Sequence, residues 1–174
     1  MSEPLTLLDS AARLGHYRYV ELRGFARLGA RAPRAAPALA GFLAGAARAH
    51  AHRAGLLEAR LPLSIGIPHA AELTVAPDLE SEGLLDELLG VPDEQLLGAL
   101  VEGLYPSLLA AYRAHLGRCS PFSDPPVARL LGRLIADLEG VLGEASALGP
   151  AASGGPAALL ERLSARGGVL PSAP

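Results

Sequence analysis

The chain has 174 residues, half of them apolar, and a formal net charge of −3. That length and apolar fraction exclude a disordered polymer and predict one domain with a substantial core. The mildly acidic balance gives no electrostatic footprint for nucleic acid, and all 15 basic residues are Arg, which excludes chemistry that needs a lysine amine.

The first four residues, Met-Ser-Glu-Pro, show no basic-then-apolar signal pattern. The spacing of Leu14, Tyr17, Phe25 and Leu28 predicts a first helix over about 7–31, ended by Pro33. A second helix is predicted over about 36–60, with Leu39, Leu43, Ala46, His50, Ala54 and Leu57 on one face and Leu61-Pro62 stopping it. Residues 62–77 carry Pro62, Gly66, Pro68 and Pro77 and read as an irregular crossover. Its β-like pieces, 63–67 and 73–76, are too short for a sheet. Residues 78–89 predict a short acidic helix closed by Gly90 and weakened by Gly83.

Pro92-Asp93 opens the third long helix, with Asp93 as its N-cap and Pro106 as an internal kink. Its stripe is Leu97, Val101, Tyr105, Leu108 and Tyr112. The lone Cys119 has no partner for an internal disulfide and fits a reducing, cytoplasmic setting. Arg118 and Ser120 beside it are compatible with a reactive thiol, although a lone loop Cys is more often incidental. Ser123 or Asp124 is expected to cap a fourth helix, with Pro125 or Pro126 in its first turn and Val127, Leu130, Leu131, Leu134, Leu138 and Val141 facing inward. From Gly149 the chain is rich in Gly, Ala, Ser and Pro. No apolar stretch of about 18 residues runs without charge, so no membrane span is expected. The absence of Lys and Asn reads as GC-rich coding of the actinobacterial kind.

Charged residues are seldom buried without partners, so polar residues on apolar stripes carry the functional signal. Glu21 lies on the stripe Leu14–Tyr17–Glu21–Phe25–Leu28 and points where the leucines point. It suits a metal ligand, a general base, an anchor for an amine, or a carboxylate paired with Arg. His50 shares a stripe with Leu43, Ala46, Ala54 and Leu57, and Arg53 lies one turn on. His52 is about 200° round the helix from His50, so the two do not face one centre. The run of Ala and Gly from 44 to 54 leaves room for a cavity or for close helix packing. Tyr105 and Tyr112 share a face with His115 a turn further, and Glu102 sits at its edge. Asp137 and Glu144 lie seven apart on the fourth helix. No Glu or Asp has a His three residues after it, so the Glu-x-x-His of carboxylate-bridged di-metal bundles is missing.

The run Gly15-His-Tyr-Arg-Tyr-Val-Glu21, then His50-Ala-His-Arg-Ala, Arg60-Leu-Pro62, Ala114-His115-Leu116 and Asp124-Pro-Pro-Val-Ala-Arg-Leu-Leu, resembles a bacterial branch of the ferritin-like superfamily near the ferritin-like tRNA hydroxylases. The resemblance spans residues 10–147. It implies an all-α, ferritin-like four-helix bundle over 1–148 with a long middle crossover, followed by a flexible or loosely docked tail over 149–174. It places Glu21, His50, Glu102 and Asp137 at metal-ligand positions, for iron or manganese. Arg53 and Gly55 stand where the branch often shows His and Glu, and Gly140 or Val141 where its last His is expected.

The expected activity is therefore metal-independent and needs no cofactor. The bundle is expected to bind a small, largely apolar metabolite and transform it by isomerisation, cyclisation or elimination, in bacterial specialised metabolism. Glu21, His50, Tyr105 and Tyr112 are the expected catalytic groups, and Arg18, Arg53, Glu102 and His115 the expected substrate-binding groups. The alternatives are an iron-dependent oxygenase with a reduced ligand set and a non-catalytic helical partner or scaffold. The expected partner is the small molecule, with a homodimer as the open alternative to a monomer and with neither nucleic acid nor membrane.

Overall fold

In the computed structural model, residues 4–63, 66–148 and 155–170 are described, and the regular structure among them is helical with no strand. Helix α1 (Leu7–Arg31) starts where Thr6 Oγ1 accepts the Asp9 N–H at 3.1 Å, with Asp9 itself in the electropositive first turn. Pro33 ends it in a 3₁₀ turn over Ala32–Arg34, and α2 (Pro37–Glu58) begins on Pro37. The short connection folds α1 and α2 into a hairpin with the most extensive helix–helix interface in the chain. The buried face of α1 is Leu14, Tyr17, Glu21, Gly24 and Leu28. Phe25, expected on this stripe, is instead 46% exposed, because Gly24 takes the inward place.

The crossover carries a single helical turn, α3 (Ala70–Leu73), where part of a β-like piece was expected at 73–76. Of the other expected piece, 63–67, residues 64 and 65 lie outside the described residues. Gly15 lets α3 lie against α1: a Cβ there would stand 2.2 Å from the Leu73 carbonyl oxygen. Helix α4 (Leu79–Gly90) is capped by Asp78, whose Oδ1 accepts the Ser81 N–H at 2.7 Å.

The third long helix runs as α5 (Asp93–Gly98), a π-helical segment over Ala99–Leu104, and α6 (Tyr105–Leu116). Pro92 takes the N-cap position, so Asp93 is the first helical residue and its carboxylate pairs with Arg31. The kink expected at Pro106 takes the form of this π segment, in which the Tyr105 N–H reaches back to the Leu100 carbonyl. Proline has no N–H to give the preceding turn, and a widened turn just ahead of it meets that shortfall. Helix α7 (Pro125–Ala147) starts on two prolines, and the expected cap, Asp124, turns its carboxylate to the Ser120 N–H at 3.0 Å instead.

Helix α7 packs on both α6 and α2. Within the expected tail, residues 155–170 seat on this body through α8 (Ala157–Arg166), which packs on α4 and the π segment. Leu159, Leu163, Val169 and Leu170 are buried there, and Arg162 pairs with Glu87 at 2.7 Å. Gly167, at φ +83°, ends α8 in the left-handed conformation that favours glycine. Among the described residues no helix is long and apolar enough to cross a membrane.

Candidate functional site

Four helices bring side chains to one buried carboxylate. Helix α1 supplies Glu21, α2 supplies His50 and Arg53, α6 supplies Tyr112, and α7 supplies Asp137. Glu21, His50, Arg53 and Tyr112 are each 0% exposed. Glu21 Oε2 lies 2.5 Å from His50 Nδ1. Glu21 Oε1 accepts from Arg53 Nε at 2.9 Å and from Tyr112 Oη at 2.6 Å. Arg53 Nη1 then donates to Asp137 Oδ2 at 2.6 Å. The Asp137 side chain is 42% exposed, so the network runs from the core to the surface.

Gly24, one turn on from Glu21, makes the His50 position possible. A Cβ at Gly24 would stand 2.7 Å from both Nδ1 and Cε1 of the imidazole. The ring therefore lies close against the α1 backbone at Gly24, with the Glu21 carboxylate on its Nδ1. Its other neighbour is Tyr105, with ring centroids 5.8 Å apart.

Burial by itself pushes a carboxyl upward, but the neighbouring His50 and Arg53 outweigh it and hold Glu21 at about 2. Glu21 is thus an anion at neutral pH. Arg53 is raised further: burial opposes its charge, and the Glu21 carboxylate more than restores it. Tyr112 is pushed well above the usual phenol range by burial and by Glu21. Tyr105 is also raised, by burial first. Both tyrosines stay protonated, and Tyr112 donates to Glu21.

A carboxylate only accepts, so His50 Nδ1 carries the proton it shares with Glu21 and presents Nε2 on the far side of the ring. His50 Nε2, Arg53 Nη2 and Tyr105 Oη are buried with no hydrogen-bond partner. Buried polar atoms are nearly always satisfied, by protein, water or ligand. Three such atoms therefore belong to residues that surround one carboxylate.

The metal-ligand set named by the resemblance does not assemble. Both Glu21 oxygens are taken by donors, and the Arg53 guanidinium bridges Glu21 to Asp137. Glu102 is exposed on the π segment. Among the described residues no group of three or more His, Cys, Asp or Glu side chains is placed to hold an ion. The arrangement present is a guanidinium-bridged pair of carboxylates.

Three expected substrate-binding residues stand apart: Arg18, His115 and the exposed Glu102. Arg18 donates to Thr74 at 2.7 Å and pairs with Glu58 at 3.1 Å, joining α1 to α3 and the end of α2. His115 is buried against Ser10, with Nε2 3.1 Å from Oγ. Burial, with Arg13 adding, pushes it down to about 4, so it is neutral. Tyr17 links this neighbourhood to the site: its ring lies 4.9 Å from Tyr112 and 5.7 Å from His115. His52 points away, into a surface groove of about 530 Å³ between α2 and α7 that also holds Arg48, Asp137 and Glu144. Ala46, Ala47 and Ala54 are packed, while Gly45 and Ala49 line that groove. The Cys119 thiol is raised by burial and by Asp124, which works against a reactive thiolate.

Gly24, Ser10 and Tyr17 were not singled out as site residues from the sequence. Gly24 carried a usable signal, since it lies three residues after Glu21 on the same inward face. Compared with protein-family models, curated proteins and solved structures, the chain matches none.

Proposed function

We propose that the chain is a metal-independent enzyme that binds a small, largely apolar molecule and moves a proton on it. Isomerisation, cyclisation and elimination are the reactions that need only this. The observation that carries the reading is the buried, unpartnered His50 Nε2 behind the Glu21–His50 hydrogen bond. A carboxylate on one imidazole nitrogen fixes the tautomer and stabilises the imidazolium that forms when the other nitrogen takes a proton. His50 Nε2 is then the acid/base atom, with Glu21 and Tyr112 positioning it. Tyr105 Oη and Arg53 Nη2 supply donors for negative charge developing on a substrate oxygen.

The ferritin-like arrangement belongs to the same proposal. An α1/α2 hairpin, a long crossover and an α5–α7 hairpin, with α7 on α2, support a four-helix bundle of that kind. Arg53 then holds by its own charge the carboxylates that a di-metal site otherwise pairs with cations.

The test is a panel of small cyclic ketones and enones observed by ligand-detected NMR. Binding is expected to the native chain and to be lost in His50→Gln and Tyr105→Phe while both variants melt cooperatively. Binding that ignores both substitutions, or near-stoichiometric iron or manganese after anaerobic reconstitution, overturns the reading.

A further inference from the structure

The arginines divide into two populations. Most are engaged with carboxylates, among them Arg18 with Glu58, Arg23 and Arg27 with Asp86, Arg31 with Asp93, Arg113 with Glu139, and Arg162 with Glu87. Arg60, Arg129 and Arg133 are not: like Arg34 and Arg48, they have no ion pair or side-chain hydrogen bond among the described residues. All three line one open cleft of about 300 Å³, where the end of α2 meets the start of α7. Leu56, Pro126 and Leu130 supply apolar walls, and no carboxylate lines the cleft.

Three cations around one hollow repel each other unless something negative sits among them. Arg129 and Arg133 are four apart on α7 and so share a face, where like charges are unfavourable. The nearby acids are committed elsewhere: Glu58 to Arg18, Asp137 to Arg53, and Asp124 to the Ser120 N–H. The first turn of α7 opens beside the cleft and adds the same sign through its dipole. Folding brings these charges together on a chain whose net charge is −3.

We infer that this cleft binds a small soluble amphiphilic anion, a phosphate or carboxylate group on a short apolar body. The guanidinium forks match the planar or tetrahedral oxygens of such a group. Leu56, Pro126 and Leu130 take the apolar part. The hollow lies at the lower end of the size range of small-molecule sites, about 300–1,000 Å³. This assignment does not depend on the reading of the core cluster.

Isothermal titration calorimetry of the full chain with hexyl phosphate at low salt tests it. One equivalent is expected to bind, roughly tenfold or more tightly than inorganic phosphate, because the alkyl part adds apolar burial. The double variant R129A/R133A is expected to weaken binding at least tenfold, and added salt to weaken it further. The control R34A/R113A, which removes the same charge from other surfaces, is expected to leave binding unchanged. The three arginines are exposed, so the variants keep the fold, which a melting curve checks. No binding, equal weakening in both double variants, or binding only to anionic phospholipid vesicles overturns the inference.

Discussion

Two histidines lie in the interior, His50 on α2 and His115 on α6, at 0% and 1% exposure. His50 faces an ionised carboxylate at 2.5 Å, which an arginine and a tyrosine hold in turn. His115 faces the Ser10 hydroxyl at 3.1 Å, with Arg13 near enough to oppose its protonation. Both leave one ring nitrogen without a partner. The difference lies in what a proton on the free nitrogen meets. The Glu21 carboxylate sits on the other ring nitrogen of His50; at His115 burial and then Arg13 oppose a charge, and the smaller opposite effect of Asp124 does not offset them. Equal burial thus gives one candidate acid/base group and one neutral packing residue, and the partner decides which.

The largest expected effect comes from removing the cation that holds the carboxylate. Arg53→Ala leaves Glu21 buried with its guanidinium partner gone, and a loss of about 3–5 kcal/mol is expected from denaturant unfolding. A loss below about 1 kcal/mol would mean that water already reaches Glu21.

Tyr112→Phe removes a donor to a charged acceptor and is expected to cost about 1.5–3 kcal/mol. Tyr105→Phe is the matched control, because the Tyr105 hydroxyl has no partner. Its stability is expected to change little while ligand binding is lost. Similar losses in the two variants would mean that Tyr105 is already satisfied.

Gly24→Ala forces a methyl against the His50 ring, which stood 2.7 Å from that position. It is expected to cost about 1–3 kcal/mol, as overpacking does. Gly132→Ala has open space around its Cβ and is expected to gain up to about 1 kcal/mol from helix propensity. A gain at both positions would place the imidazole elsewhere.

The acid limb of stability separates the two histidine neighbourhoods. His115 is depressed from 6.5 to about 4, so its contribution is complete above pH 6.5 and lost as pH falls through 4. His16, also lowered by burial and then Arg13, acts in the same direction. Glu21 is depressed from 4.5 to about 2, so its contribution is complete above pH 4.5 and lost toward pH 2. Unfolding midpoints followed against pH are expected to flatten in the upper window for His115→Gln and in the lower window for Glu21→Gln. The smallest effect is expected at Arg113→Ala, whose pair with Glu139 is exposed on both sides, at about 0–1 kcal/mol.

Helical period was enough to read Glu21, His50 and Arg53 as inward, because α1 and α2 are regular over the residues that matter. Glu102, read at the edge of its stripe and as a ligand by resemblance, is exposed. The π segment over Ala99–Leu104 takes more residues per turn, so positions before and after it do not share a face at a 3.6-residue period. That Glu102 is exposed while Tyr105 and Tyr112 are buried follows from this change of phase. Asp137 is partly exposed, and its bond to Arg53 depends on how α7 sits on α2, which no local pattern encodes. The pairing of Ser10 with His115, 105 residues apart in the chain, is equally non-local. In the tail the amphipathic spacing of 157–163 is legible, but its seating on α4 and the π segment, with Val169 and Leu170 also buried, is non-local.

The central claim is that an ionised carboxylate sits in the core, held by the chain's own imidazole, guanidinium and phenol. A carbon-13 NMR titration of the Glu21 carboxyl in chelator-treated protein tests it most directly. The expected result is a resonance that stays in its ionised position from neutral pH to below about pH 3, with its midpoint near 2 if the fold persists. A midpoint at or above the ordinary 4.5 would contradict it.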